Sequence, residues 1–105
     1  MQAYELPNLL TQQQASNKLY LEFLRVPALS CGLYVLPAGQ PDPQQPHRED
    51  EVYYIIQGQG MIRVADEDRP VQAGSIVYVA AEVAHRFHSI TETLQILVFF
   101  APAET

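Results

Sequence analysis

From Leu19 onward, apolar residues recur mostly at every second position. Val, Ile, Tyr and Phe are prominent, and turn-forming residues separate the runs. A period of two with β-branched and aromatic enrichment predicts an all-β domain. Strands are expected at Leu19–Arg25, Cys31–Leu36, Val52–Gln57, Gly60–Ala65, Ser75–Val79, His85–Ile90 and Leu94–Phe100. Between them, Gln57-Gly58-Gln59-Gly60 and Asp66-Glu67-Asp68-Arg69-Pro70 read as hairpin turns, which makes the centre of the chain a meander. So many short strands in one small chain suggest a sandwich or a barrel. Only Leu9–Lys18 reads as a short helix, with a weak capping-box pair in Thr11 and Gln14. The expected organisation is an irregular or helical N-terminal segment, residues 1–18, followed by a single domain, residues 19–105.

Two strands are apolar on both faces. In Val52-Tyr53-Tyr54-Ile55-Ile56, the Tyr53/Ile55 set is as hydrophobic as the Val52/Tyr54/Ile56 set, and Leu94–Phe100 repeats the pattern. One core in a small domain covers one face only, so a second copy is expected over the other face, and with it a homodimer.

A length of 105 residues allows one domain and one modest core. Six Lys and Arg against twelve Asp and Glu give a formal charge of −6, and the six basic residues form no cluster, which disfavours nucleic acid and anionic membranes as partners. No apolar run approaches the ~20 residues that cross a bilayer, and the N-terminus lacks the basic start of a secretory signal. A cytoplasmic protein is the resulting expectation. Cys31 is the single cysteine, which excludes an intrachain disulfide and a cysteine-based zinc cluster; set in an apolar strand, it reads as a buried structural thiol.

The chemistry-bearing residues concentrate in Gln44-Gln45-Pro46-His47-Arg48-Glu49-Asp50-Glu51 and in His85-Arg86-Phe87-His88. A neutral imidazole and an ionised carboxylate are the raw material of a divalent-metal site near pH 7. On a straight strand His47 and Glu51 would stand about 13 Å apart at ~3.3 Å per residue. They can share an ion only if Arg48-Glu49-Asp50 makes a corner, which places Glu51 at the start of the Val52 strand with Tyr53, Ile55 and Gln57 on its face. Alternation puts His85 and Phe87 on one face and Arg86 and His88 on the other; Phe87 selects His85 as the inward histidine and leaves His88 at the surface. Tyr53, Ile55 and Phe87 are the expected pocket residues, with the Tyr53 hydroxyl able to reach a ligand. Glu49, Asp50, Arg63 and the Asp66-Glu67-Asp68 tip are expected in solvent.

Spacing then supplies a resemblance. Gly39, Gln45, His47, Glu51 and Gly58 reproduce the first cupin motif, G-x5-H-x-H-x3-E-x6-G, with glutamine in place of the first histidine. Gly74, Ala80, Glu82, His85 and Ser89 fall on the positions of the second, G-x5-P-x-G-x2-H-x3-N, with the glycine and the histidine kept. The chain resembles a small single-domain bacterial cupin. The resemblance implies a double-stranded β-helix, or jelly-roll barrel, with one divalent metal ion held by His47, Glu51, His85 and, more weakly, Gln45. Two histidines and a carboxylate favour Fe2+, with Mn2+, Ni2+ or Zn2+ as alternatives. Two function classes follow from it: a non-haem metal-dependent oxygenase or isomerase acting on a small molecule, and a non-catalytic small-ligand-binding or sensing cupin.

Overall fold

The computed structural model describes residues 1–105. The chain runs α1 (Leu6–Ser16), β1 (Tyr20–Val26), β2 (Leu29–Leu36), β3 (Asp50–Val64), β4 (Glu67–Gln72), β5 (Ile76–Val79) and β6 (His85–Ala101). All pairings are antiparallel, in the order β1-β2-β6-β3-β4, with β5 on the other edge of β3.

The all-β reading holds, but four of the expected strands are halves of two long ones. Gln57-Gly58-Gln59-Gly60 lies inside β3, where the register against β6 shifts between Ile55 and Gln57, between Gln57 and Gln59, and between Gln59 and Met61. A glycine pair in a strand marks a bulge as readily as a turn. Gly58 has φ +104°, and a Cβ there would run into the Thr93 carbonyl on β6, so this position admits only glycine. Likewise Thr91-Glu92-Thr93 does not end a strand; β6 passes through it.

The second expected turn is shorter than the sequence suggested. Val64 pairs directly with Glu67, so only Ala65 and Asp66 turn, and Glu67–Gln72 forms the strand β4. Alternation is hidden in that strand because only Val71 of its six residues is buried.

The helix begins three residues before the expected start, with Pro7 in its first turn, and is stopped by Asn17 at φ 58°. Thr11 is no cap: its hydroxyl donates to the Pro7 carbonyl inside the helix. The helix buries Leu9 against the sheet. No helix is long and apolar enough to cross a membrane.

The bulged strands curl the sheet around one core containing Leu36, Tyr53, Ile55, Ile62, Phe87, Leu94 and Ile96. The two faces of β3 separate as period two requires: Tyr53 and Ile55 are fully buried, whereas Tyr54 is 40% exposed. Curling also brings together residues distant along the ladder. Glu51 pairs with Phe100 and Val79, and His85 pairs with Val64 at the far end of β3, yet their side chains meet.

Candidate metal centre and adjoining pocket

His47 sits in the connection between β2 and β3, behind a bend at residues 48–49 that supplies the required corner. Its backbone carbonyl accepts the Glu82 amide at 2.6 Å, which ties this connection to the turn before β6. Glu51 at the start of β3 and His85 at the start of β6 are both buried. One ligand atom from each of His47, Glu51 and His85 lies within 4.8 Å of the others, a grouping able to hold a metal ion.

The orientation of the rings is the informative feature. His85 Nδ1 lies 2.8 Å from the Val83 carbonyl, which can only accept, so this nitrogen carries the proton in the neutral ring. Nε2 then presents its lone pair to Glu51 Oε1, 2.8 Å away, with both side chains 1% exposed. The contact lacks hydrogen-bond geometry, and His85 Nε2 and Glu51 Oε2 are buried without any hydrogen-bond partner. His47 repeats the arrangement: Nδ1 stands 3.0 Å from Glu104 Oε2, and Nε2 faces the Gln44 amide oxygen at 3.2 Å. An imidazole oriented through Nδ1 by a carboxylate or carbonyl, with Nε2 turned to a shared centre, is the usual preparation of a metal-binding histidine. Buried lone pairs aimed at one another are costly unless a proton or a metal cation lies between them. The donor chemistry therefore fits a divalent ion.

Charge in the site is unevenly placed. Burial works against a charged His85, but the Glu51 carboxylate and the Val83 carbonyl outweigh it and hold the ring's pKa above its ordinary value. Glu104 is also raised, by burial first and by Glu49 and Glu51, with His47 opposing. The Tyr53 phenol is pushed well above 10 by burial and by Glu51, so it remains a hydrogen-bond donor and donates to Gln44 Oε1 at 3.0 Å.

Beside this group lies a cavity of about 140 Å³, lined by Tyr20, Tyr34, Gln44, His47, Tyr53, Val98, Phe100 and Glu104. It contains no lysine or arginine. The Tyr20 hydroxyl is buried without a partner, and its ring lies over Gly32, where a Cβ would collide with it.

Several expectations need correction. Gln45 is exposed and outside the donor group; the neighbouring Gln44 is the glutamine that faces His47, because the strand-like alternation of this segment turns every second side chain outward. Ile55 and Phe87 do not line the cavity. They are fully buried beneath it, with Phe87 packed edge-on against Tyr53 at 4.9 Å. Glu49 is 4% exposed rather than in solvent, accepting from the backbone and the hydroxyl of Thr105. Arg63 and His88 are both bonded to Asp68, Arg63 also bordering a cleft that Gln44 and His85 line, and Cys31 is buried. Glu104 and Tyr20 went unrecognised in the sequence: each is far from the motifs, and only the docking of the chain's last residues through Ser30 and Glu49 brings Glu104 to His47.

Three comparisons fit this description. The family model described as "Cupin domain" matches residues 32–100. An uncharacterized protein of Streptomyces coelicolor is 47% identical over 105 residues, covering all of both chains. Among solved structures, an RmlC-like cupin family protein with a double-stranded β-helix fold from Methanocaldococcus jannaschii superposes with a TM-score of 0.77 at 23% identity, over 97% of this chain and 91% of that one. The cupin domain of Schizosaccharomyces pombe Cnp3 superposes with a TM-score of 0.72 at 16% identity, over 79% of this chain; the match spans only 63% of that chain.

Proposed function

The chain belongs to the cupin domain family, and we propose that it is a metal-binding cupin that acts on a small organic molecule through a non-haem oxygenase or isomerase reaction. One observation carries the reading: both site histidines spend Nδ1 on an acceptor and turn Nε2 toward other lone pairs in the barrel interior. His47, Glu51 and His85 hold one divalent ion, and two imidazoles with one carboxylate favour Fe2+ over Mn2+, Ni2+ or Zn2+. When bound, such an ion supplies Lewis acidity toward a substrate oxygen, or redox chemistry. The chain's own contribution is orientation and exclusion of water. Tyr20, Tyr34 and Phe100 form the apolar wall beside the donors, and the protonated Tyr53 phenol offers a hydrogen bond. With no lysine or arginine on its wall, the cavity suits a neutral or cationic molecule, or an anion whose charge is met by the ion itself.

The alternative, a non-catalytic cupin that binds or senses a small ligand, is favoured by one feature. The single carboxylate on the cavity wall, Glu104, is engaged with His47, so no free general base faces a ligand. A cytoplasmic location and a homodimer, formed through the exposed side of β3 and β5, complete the proposal.

The test is elemental analysis of anaerobically purified protein, with His47→Ala and His85→Ala alongside. Near-stoichiometric iron or manganese, lost in both variants, supports the metal reading and justifies an oxygen-uptake screen for substrates. A loaded protein that turns over nothing favours the binding module. Metal content equal in all three proteins, or absent from the wild type after reconstitution, refutes the proposed site.

A further inference from the structure

Resting on the metal reading above, we infer that Gln44 Oε1 is the fourth protein donor to the ion, and that Asp42 is the residue that positions it. Asp42 accepts four hydrogen bonds. Its Oδ1 takes the Tyr34 hydroxyl at 2.5 Å and the Gln44 backbone amide at 3.2 Å. Its Oδ2 takes Gln44 Nε2 at 2.7 Å and the Phe87 backbone amide at 2.9 Å. The carboxylate thus pins the 42–44 segment to β6.

An ionised carboxylate only accepts, so the NH2 end of the Gln44 amide must face Asp42. The direction of the amide is thereby fixed, and Oε1 points into the site. There it receives the Tyr53 hydroxyl at 3.0 Å and stands 3.2 Å from His47 Nε2. An amide oxygen has two lone pairs, and Tyr53 occupies one. The other meets His47 Nε2, which is itself a lone pair when Nδ1–H is given to Glu104.

Two such acceptor-to-acceptor contacts therefore border the same space, Gln44 to His47 at 3.2 Å and Glu51 to His85 at 2.8 Å. Donors adjacent on one ion with bonds of ~2.0–2.2 Å stand roughly 3 Å apart, so one cation resolves both contacts. A proton on His47 would resolve only the first contact and a proton on His85 only the second, whereas one cation resolves both. The one-residue offset from Gln45 has a simple cause: the exposed Gln45 points away, while Asp42 draws its neighbour inward. A neutral oxygen in place of an imidazole makes the set harder, which narrows the intrinsic advantage of Zn2+ and Cu2+ over Mn2+ and Fe2+.

The experiment is titration of chelator-stripped full-length protein with Mn2+, read by the loss of free-ion EPR signal, and with Co2+, read by its visible absorption. Wild type, Gln44→Ala, Gln44→Glu, Gln45→Ala and Asp42→Asn are compared, with circular dichroism confirming the fold of each. Gln44→Ala is expected to weaken Mn2+ binding about tenfold and to change the Co2+ band intensity. Gln44→Glu should bind more tightly than wild type, Asp42→Asn should weaken binding less than Gln44→Ala, and Gln45→Ala should leave it unchanged. Equal affinity and equal Co2+ spectra in Gln44→Ala and wild type, while His47→Ala loses the ion, would overturn the inference and leave the metal site standing. A wild type that takes up neither ion refutes the metal reading itself, and with it the role of Gln44.

Discussion

His85 Nε2 and Glu51 Oε1 stand 2.8 Å apart in the barrel interior, and no proton in the neutral ring lies between them. Without a cation the contact is satisfied only while His85 is protonated, a form that burial opposes and the Glu51 carboxylate favours. Glu51→Gln replaces one oxygen with an NH2 group that can donate to His85 Nε2. At a pH above the raised His85 pKa, where the ring is neutral, we expect this variant, stripped of metal, to be more stable than stripped wild type by about 1 kcal/mol, the net value of a typical hydrogen bond. It should also fail to retain metal. Urea unfolding with chelator present checks the first outcome and elemental analysis the second; a less stable Glu51→Gln would show that the carboxylate is already satisfied.

Glu104 orients His47 from the far end of the chain through a 3.0 Å contact to Nδ1. Partners of this kind typically change metal affinity 10–100-fold when removed. Glu104→Ala is therefore expected to weaken Mn2+ binding at least about tenfold. The secondary structure should survive, because the Glu104 backbone amide, not its side chain, is what bonds to Ser30. Calorimetric titration of the two proteins measures the difference.

The core of this architecture is legible from the chain because period two is explicit in Tyr53/Ile55 and in His85/Phe87, and both pairs are buried. His47, Glu51 and His85 are legible for a second reason, their spacing within two motifs. What the chain conceals has physical causes. A glycine pair encodes a bulge or a turn alike, so β3 reads as two strands. An edge strand such as β4, with Val71 alone buried, has no alternation to read. Gln44 and Gln45 are chemically identical, and only the Asp42 bonds, made across the fold to Phe87 and Tyr34, decide which one turns inward. Glu104 reaches the site by a long-range docking that no local pattern records.

The outer face of β3 and β5 pairs Tyr54 with Ile76 and Val52 with Tyr78. Ile76 is 70% exposed and Tyr78 60%, an apolar area of the kind that marks an association surface. The proposed homodimer buries it. Sedimentation velocity at micromolar concentration should give a dimer for wild type and a monomer for Ile76→Lys/Tyr78→Lys. A monomeric wild type would refute the proposal.

Tyr20 and Tyr34 should make the fold labile to alkali. Burial raises both phenols above 10, with Glu104 and Glu22 adding to the effect at Tyr20 and the bond to Asp42 at Tyr34. A group whose folded pKa exceeds its unfolded value contributes stability in full below the unfolded pKa and loses it as pH rises toward the folded one. Stability should be insensitive to these tyrosines up to about pH 10 and fall above it. Absorbance at 295 nm is expected to show their ionisation coinciding with loss of circular dichroism; titration of all six tyrosines while the fold persists would contradict this.

Glu82 occupies the motif position where the family pattern has glycine, and its backbone explains the pattern. It has φ +66°, a left-handed conformation that a residue with a Cβ adopts at a cost, while its amide donates to the His47 carbonyl at 2.6 Å. The turn thus keeps the glycine geometry without the glycine, and the strain sits beside the segment that holds His47. Its side chain is exposed, so truncation removes no packing. Glu82→Gly should relieve the strain, partly offset by the greater freedom of glycine in the unfolded chain, for a net gain of about 0.5–1 kcal/mol. Glu82→Ala retains the Cβ and should gain nothing. Denaturant midpoints of the three proteins decide the matter: equal gains in both variants would assign the effect to the lost carboxylate, and a gain confined to glycine would assign it to the backbone.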